Sequence, residues 1–251
     1  MRKLRIIARL DVKNDYVIKG IQLEGLRKIG DPNELARRYY QGGIDEILLM
    51  DAVASLYQRN SLYDIISHAC AEVFVPITVS GGIRTLEDID QALKSGADKV
   101  GINTQAIKTP DFISQASLIY GSQCIVASIE AKRKKNKWEA YINNGREATG
   151  VDVFEWIQRL EDIGAGEILL TSVDKEGVRQ GFDQELAVQA CERVSIPIII
   201  SGGAGKPEDV SNLIKSTFVD AVALASVLHY DQHSISKIKD HLNEEGVTVR
   251  K

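Results

Sequence analysis

Two similar stretches, VPITVSGG at residues 75–82 and IPIIISGG at residues 196–203, most strongly limit how this chain of 251 residues can fold. Each contains a proline, a short run of mostly β-branched residues, and Ser-Gly-Gly just before a helix-like segment. β-branched runs favour strands, and glycine permits the tight turn that carries a strand into a helix. The two stretches therefore predict two equivalent strand–turn–helix units of an α/β fold.

These units belong to an alternation of short apolar runs and longer amphipathic segments along the whole chain. The candidate strands are Arg5–Asp11, Glu46–Asp51, Ile77–Ser80, Lys99–Asn103, Ile125–Glu130, Glu167–Ser172, Ile198–Ser201 and Ala221–Ala225. The helices are expected to begin near Pro32, Ser61, Thr85, Pro110, Val153, Gln184, Pro207 and Ser234. Eight strands that are each followed by a helix predict a single (β/α)8 TIM barrel over residues 1–251, a usual length for that fold.

The two halves of the chain also resemble each other. Gly82 and Gly203 are 121 residues apart, as are Glu46 and Glu167, and Ile-Leu-Leu follows both glutamates. A match at half the chain length that includes both glycines and charges exceeds the weak repeat of any βα unit. We therefore expect two duplicated half-barrels, at roughly residues 1–121 and 122–251.

Composition excludes several classes of protein. The net charge of −4 argues against a nucleic-acid-binding surface, and no apolar run approaches the roughly 18 residues of a membrane helix. The first residues lead directly into a strand-like run, so we expect no signal peptide and a cytoplasmic protein.

Cys70, Cys124 and Cys191 are widely spaced and fit reduced thiols better than disulfides or zinc ligands. The histidines form no ligand pattern, and we expect no metal and no cofactor.

Two carboxylates stand at the ends of strands, where barrel enzymes keep their chemistry. Asp11 ends the run IIARLD and Glu130 ends IVASIE, and a lysine follows each of them two residues later. Two carboxylates in one mouth can divide general acid and base work, because their environments can set different pKa values. The alternative is a pair of rim carboxylates salt-bridged to Lys13 and Lys132.

The glycine turns suggest where a substrate would be held. Free backbone N–H groups at a turn into a helix bind anions, so two such turns predict a substrate with two phosphates. The two expected phosphate sites consist of Gly81, Gly82, Asn103 and Thr104, and of Gly202, Gly203, Ala225 and Ser226. In the loop after the sixth strand, Asp174 and Gly177 either bind substrate hydroxyls or only shape the turn.

Four charged residues lie at or just before strand starts, on the opposite floor of the barrel. They are Arg5, Glu46, Lys99 and Glu167. Buried charges need partners, so one interpretation is a structural salt-bridge ring that closes the barrel bottom. The other is a polar gate across an opening in the floor.

Taken together, these stretches resemble the cyclase subunit of imidazole glycerol phosphate synthase, a barrel enzyme of histidine biosynthesis. The resemblance covers essentially the whole chain and is most specific at residues 6–13, 30–32, 96–104, 121–123, 164–172 and 201–205. Members of that family are (β/α)8 barrels built from duplicated half-barrels, which agrees with the internal repeat.

The resemblance implies a reaction and a partner. Ammonia would come from a glutaminase subunit docked on the floor as a heterodimer, and would cross the barrel to a bisphosphorylated ribulosyl-aminoimidazole carboxamide nucleotide. The products would be imidazole glycerol phosphate and aminoimidazole carboxamide ribotide. Asp11 matches one catalytic aspartate, Lys19 a mobile loop over the substrate, and Asp98 an interface position facing the glutaminase. The four floor charges would then be an ammonia gate.

The chain departs from the family pattern near the carboxyl ends of the strands, where the active site is expected. Glu130 replaces the second catalytic aspartate, and added reach of about 1 Å can cost roughly 100-fold in rate. The other departures are Arg9 for a small residue, Val53 for Thr, Ser80 for Gly, Glu176 for Asp and Val178 for Thr. The floor charges match the family throughout.

This contrast keeps other functions open. The main alternative is a paralogue that passes ammonia from a glutaminase to a nucleotide sugar, forming an amidino group for surface polysaccharide. Two separated phosphate sites favour the histidine pathway, whereas the substitutions favour the paralogue. A non-catalytic barrel that only activates a glutaminase is disfavoured by Asp11 and Lys19. A sugar isomerase of the related histidine-pathway barrel would need no ammonia gate.

Overall fold

The computed structural model describes residues 3–54 and 62–250, which form twelve strands arranged around a closed barrel. The strands are β1 Arg5–Lys13, β2 Tyr16–Ile21, β3 Glu24–Gly30, β4 Glu46–Asp51, β5 Ile77–Ser80, β6 Lys99–Ile102, β7 Ile125–Lys134, β8 Lys137–Ile142, β9 Glu147–Asp152, β10 Glu167–Ser172, β11 Ile198–Ser201 and β12 Ala221–Leu224. Eight of them run parallel in the order β1-β4-β5-β6-β7-β10-β11-β12, and β12 pairs with β1 to close the barrel. The predicted (β/α)8 fold is confirmed.

Helices follow the barrel strands and cover them on the outside. Within the described residues they are α1 Pro32–Gln41, α2 Tyr63–Glu72, α3 Leu86–Lys94, α4 Thr104–Lys108, α5 Asp111–Tyr120, α6 Val153–Asp162, α7 Gln184–Cys191, α8 Pro207–Ser216, α9 Ser226–His229 and α10 Ile235–Glu244. None of these helices is long and apolar enough to cross a lipid bilayer.

Local sequence signals set most helix starts as predicted. At the start of α1, the side chain of Asp31 accepts hydrogen bonds from the backbone N–H groups of Asn33 and Glu34. At the start of α3, Thr85 forms a capping box with Asp88. The helix start predicted near Ser61 lies outside the described residues. The short helices α4 and α9 were not predicted, because four or five residues carry no helical periodicity.

The chain forms β-hairpins after the first and fifth barrel strands. β2 and β3 follow β1, and β8 and β9 follow β7. Residues 143–145 lie in the turn between β8 and β9. Antiparallel pairing with β8 carries β7 to Lys134, whose ammonium lies 2.8 Å from the carboxylate of Glu139.

Alternate residues of each strand divide the apolar core into two layers. The outer layer lies between strands and helices and includes Ile6, Ala8 and Leu10 of β1. The inner cluster fills the barrel and consists of Ile7, Leu48, Met50, Val126, Leu169, Ile199, Ala221 and Ala223. The barrel is therefore a packed core whose open mouth lies at the carboxyl ends of the strands. The proposed division into two half-barrels stays a prediction.

Candidate active site

The carboxyl ends of β1 and β7 bring Asp11 and Glu130 to the mouth of the barrel. Asp11 lies beside Met50 of β4, and Glu130 lies beside Thr171 of β10. Both carboxylates are buried, with 6% and 5% of their surface exposed. Burial penalises a charged carboxylate unless other groups stabilise it. The groups around each one therefore decide its chemistry.

Asp11 is held between two cations. Its Oδ1 accepts a hydrogen bond from Arg9 Nε at 2.8 Å, and its Oδ2 lies 3.5 Å from Lys19 Nζ. Burial opposes ionisation of Asp11, but the charges of Arg9 and Lys19 outweigh it and hold the pKa of Asp11 below its usual range. Asp11 is therefore a carboxylate at neutral pH.

Glu130 has neutral partners instead. Its Oε2 accepts hydrogen bonds from Asn103 Nδ2 at 2.9 Å and from the backbone N–H of Gly145 at 2.7 Å. Burial raises the pKa of Glu130 to about 7, although these two donors oppose the rise. A group with a pKa near the working pH can both give and take a proton.

The salt-bridge alternative from the sequence named the wrong partners. Asp11 pairs with Arg9 and Lys19 rather than with Lys13. Lys132 lies over the ring of Tyr141, with Nζ 5.5 Å from the ring centroid. The rim lysines follow the strands outward past the mouth, because β1 and β7 continue into antiparallel hairpins.

Arg9 projects into the barrel between the inner apolar cluster and the mouth. Its side chain is 1% exposed, and its guanidinium reaches residues of three other strands in addition to Asp11. It donates to Thr171 Oγ1 at 2.9 Å and to Ser201 Oγ at 3.1 Å, and it lies 3.2 Å from Met50 Sδ. The sequence marked Arg9 as a departure from the family but could not give these partners.

The first glycine turn opens onto a large cavity at the mouth of the barrel. Gly81 and Gly82 line a space of about 500 Å³ together with Glu130, Asn103 and Thr104. Gly81 has a φ of +90°, and a Cβ there would lie 2.3 Å from the carbonyl oxygen of Asp51. Only glycine fits this turn. The cavity thus brings the first predicted phosphate site together with Glu130.

The second glycine turn is almost closed. Gly202 and Gly203 border a space of only about 10 Å³, which Gly177, Ala225 and Ser226 also line. Glu176 lines the same space. The two glycine turns are therefore alike in sequence but differ in the space that they leave for a ligand.

The β2–β3 hairpin closes this second side. Buried Lys19 is ion-paired with Glu176, and the N–H of Gln22 donates to the carbonyl oxygen of Glu176 at 2.7 Å. Gly177 and Gly20 touch closely, since a Cβ on Gly177 would lie 2.2 Å from the carbonyl oxygen of Gly20. The hairpin is thus fastened to the loop after β10.

Asp174 has a structural contact in that loop. Its Oδ2 accepts a hydrogen bond from the N–H of Arg133 at 2.7 Å. This bond joins the loop after β10 to the β7–β8 hairpin. Of the two interpretations from the sequence, the contact favours shaping of the loop over binding of substrate.

The floor charges form a closed ring in which each cation contacts both carboxylates. Arg5 lies 2.8 Å from Glu46 and 2.5 Å from Glu167, and Lys99 lies 3.2 Å from Glu46 and 2.8 Å from Glu167. The predicted salt-bridge ring is confirmed. The ring lies at the amino ends of β1, β4, β6 and β10, which is also where the second interpretation places a gate. Asp98 is exposed nearby, and its Oδ2 accepts from the N–H of Ile77 at 2.8 Å.

Known proteins of one family match this chain over most or all of its length. A family model described as "Histidine biosynthesis protein" matches residues 5–234. A protein of Dehalococcoides mccartyi named imidazole glycerol phosphate synthase subunit HisF is 44% identical over 250 residues, covering 100% of this chain and 99% of the relative. Proteins of the same name from Legionella pneumophila and Methanopyrus kandleri are 56% identical over 210 residues and 44% identical over 265 residues. These alignments cover 83% and 98% of this chain, and 99% and 97% of the relatives.

Proposed function

Because this chain belongs to the histidine biosynthesis family that includes the HisF subunits, we propose that it is the cyclase subunit of an imidazole glycerol phosphate synthase. It would use ammonia to convert a bisphosphorylated ribulosyl-aminoimidazole carboxamide nucleotide to imidazole glycerol phosphate and aminoimidazole carboxamide ribotide. The observation that carries the proposal is a pair of buried mouth carboxylates with opposite protonation preferences, one of which borders a glycine-turn cavity. In a ring closure with loss of water, a carboxyl group that titrates near neutral pH can exchange protons, and a carboxylate that stays ionised can stabilise developing positive charge.

The geometry suggests how the residues would act. A phosphate at Gly81 and Gly82 would lie in the cavity that Glu130 also borders. Glu130 could then give a proton to the leaving oxygen and take one from the attacking nitrogen. Asp11, held as an anion, would stabilise positive charge that develops on the imino nitrogen of the substrate.

Support for a partner on the floor comes from the residues exposed there. Phe74 is 75% exposed three residues before β5, and Phe218 is 89% exposed three residues before β12. Large exposed aromatic side chains are typical of protein–protein interfaces. A glutaminase docked over this face would cover them and Asp98, and it would release ammonia at the ring of four floor charges.

A second candidate function is favoured by the difference between the two glycine turns. Nearly all the space lies beside Gly81 and Gly82, whereas Glu176 and Lys19 occupy the side of Gly202. A ligand with two adjacent phosphates, such as a nucleotide sugar, would need only one such site. The paralogue that donates ammonia to a nucleotide sugar therefore remains the alternative.

One assay separates these functions. The purified chain is given ammonium salt and the ribulosyl-aminoimidazole substrate at alkaline pH, where more of the nitrogen is present as ammonia, and imidazole glycerol phosphate is measured. We expect turnover that is lost in Asp11→Asn. A folded wild-type chain that gives no product would contradict the cyclase, and UDP-sugars would then be tested with the same ammonia source.

A further inference from the structure

The two mouth carboxylates differ in what they face. Asp11 borders a space of only about 10 Å³ under the β2–β3 hairpin, which it shares with Lys19 and Gly20. Glu130 borders the open cavity of about 500 Å³. A substrate in that cavity would therefore meet Glu130 directly, while Asp11 lies beneath the hairpin.

Arg9 is placed to maintain this difference. A buried guanidinium is costly unless its donors are satisfied and its charge is balanced. Three of its partners, Thr171, Ser201 and Met50, are neutral. Asp11 is the carboxylate with which Arg9 forms an ion pair among the described residues.

We propose that Arg9 is a positioning residue that fixes Asp11 as an anion, so that Glu130 alone exchanges protons with the substrate. This inference rests on the proposed function for the identity of the substrate, but the ionisation of Asp11 and Glu130 can be measured without it. The inference assigns a role to Arg9, which stands where the family usually has a small residue.

The other charged groups near Asp11 do not replace Arg9. Lys19 is the second cation, but burial lowers its pKa to about 8, so it loses its charge in mildly alkaline solution. His229 also interacts electrostatically with Asp11, but burial lowers the pKa of His229 to about 4, so it is neutral at pH 7. Arginine stays protonated throughout this range. Arg9 is thus the neighbouring cation whose charge beside Asp11 does not change with pH in this range.

The groups near Glu130 leave it free to titrate. Asn103 and the N–H of Gly145 are neutral donors. Arg9 and Asp11 act on Glu130 only through space and with opposite signs, since Arg9 lowers and Asp11 raises its pKa. Desolvation therefore remains the dominant influence on this carboxyl group.

The test is a carboxyl titration by ¹³C NMR in the chain without ligand. The Asp11 and Glu130 signals are assigned by their loss in Asp11→Asn and Glu130→Gln. In the wild type we expect Glu130 to titrate near neutral pH and Asp11 to stay ionised down to acidic pH. Arg9→Gln should raise the midpoint of Asp11 by about 1–3 pH units, the usual effect of one adjacent arginine. Arg9→Lys should restore most of the difference.

Thr171→Val is the matched control, because it removes a neutral partner of Arg9 and leaves the charge in place. We expect the Asp11 midpoint to stay where it is in that variant. The inference would be overturned if Asp11 in the wild type titrates with the ordinary pKa of an aspartate. This measurement does not depend on whether Arg9→Gln folds. An unchanged midpoint in a folded Arg9→Gln protein would also overturn it.

A kinetic readout distinguishes this inference from the proposed function. If the cyclase reaction is observed, the acid limb of kcat/KM for Arg9→Gln should gain a second ionisation, that of Asp11. If the enzyme turns over but Asp11 titrates at its ordinary pKa, the inference about Arg9 is wrong and the proposed function stands. If there is no turnover but the NMR midpoints are as expected, the proposed function is wrong and the inference about Arg9 stands.

Discussion

Lys19 of the β2–β3 hairpin is ion-paired with Glu176 in the loop after β10, and both side chains are buried. The pair lies beside Gly202 and Gly203, where the sequence predicts a phosphate site. A phosphate there would meet the carboxylate of Glu176 before it could meet Lys19. An anion at this turn would therefore have to compete with Glu176 for Lys19.

Replacing Glu176 by Gln should make this side of the mouth more receptive to phosphate. The substitution removes a buried negative charge next to the site and frees Lys19 to pair with the anion, so we expect phosphate affinity to rise on the order of tenfold, about 1.4 kcal/mol. The amide signals of Gly203 and Gly82 in a phosphate titration report the two sites separately. Asp174→Asn, in the same loop, should leave the Gly203 response unchanged. Equal affinities in the wild type and Glu176→Gln would contradict this account.

Glu130→Gln should make the protein more stable above pH 7. The pKa of Glu130 is raised from 4.5 to about 7 by burial, so the folded state binds this proton more tightly than the unfolded state. The free energy of unfolding therefore falls as the pH rises from about 4.5 to 7 and stays reduced above it. Removing the ionisable group should recover on the order of 2–3 kcal/mol at pH 8 and little at pH 4. Urea denaturation at both pH values measures the difference, and equal effects at both would show that folding does not raise the pKa of Glu130.

Glu167→Gln should weaken the floor. It leaves Arg5 and Lys99 with only Glu46 as a shared counter-ion, and loss of one partner from a largely buried charged group costs about 1–3 kcal/mol. Thermal unfolding would show this as a lower Tm. Lys215→Met is the matched control, because the Lys215–Glu245 pair is exposed and should contribute little to stability. Similar Tm losses in the two variants would mean that the ring adds no more than a surface ion pair.

Gly81→Ala should damage the first phosphate site. The new Cβ would lie 2.3 Å from the carbonyl oxygen of Asp51 at a φ of +90°, so the turn must move. Gly43→Ala is the control, since Gly43 has a φ of +84° with no atom within 4 Å of the added Cβ. We expect Gly43→Ala to cost about 1–3 kcal/mol from the backbone alone. Gly81→Ala should cost more and should also abolish the phosphate-induced shift of the Gly82 amide, which Gly43→Ala should retain.

The sequence predicted where Asp11 and Glu130 lie in the barrel, but it could not predict which side chains contact them. Asp11 and Glu130 were placed by the rule that barrel strands end at the mouth, and the structure confirms that position. Neither the partnership of Asn103 with Glu130 nor that of Arg9 with Asp11 could be predicted. Asn103 and Glu130 lie 27 residues apart, and they meet because β6 and β7 are neighbours in the barrel.

The sequence by itself determined the alternation of strands and helices, the two glycine turns and the charges of the floor. These features depend on side-chain periodicity and on backbone freedom, which act over a few residues. Only the tertiary structure decided that one glycine turn is open and its twin is closed, because closure depends on Lys19 meeting Glu176 from 157 residues away. It also decided that Arg9 balances Asp11 rather than Glu130. Charge pairing across a barrel is set by distance and burial, and neither can be read from the spacing of residues along the chain.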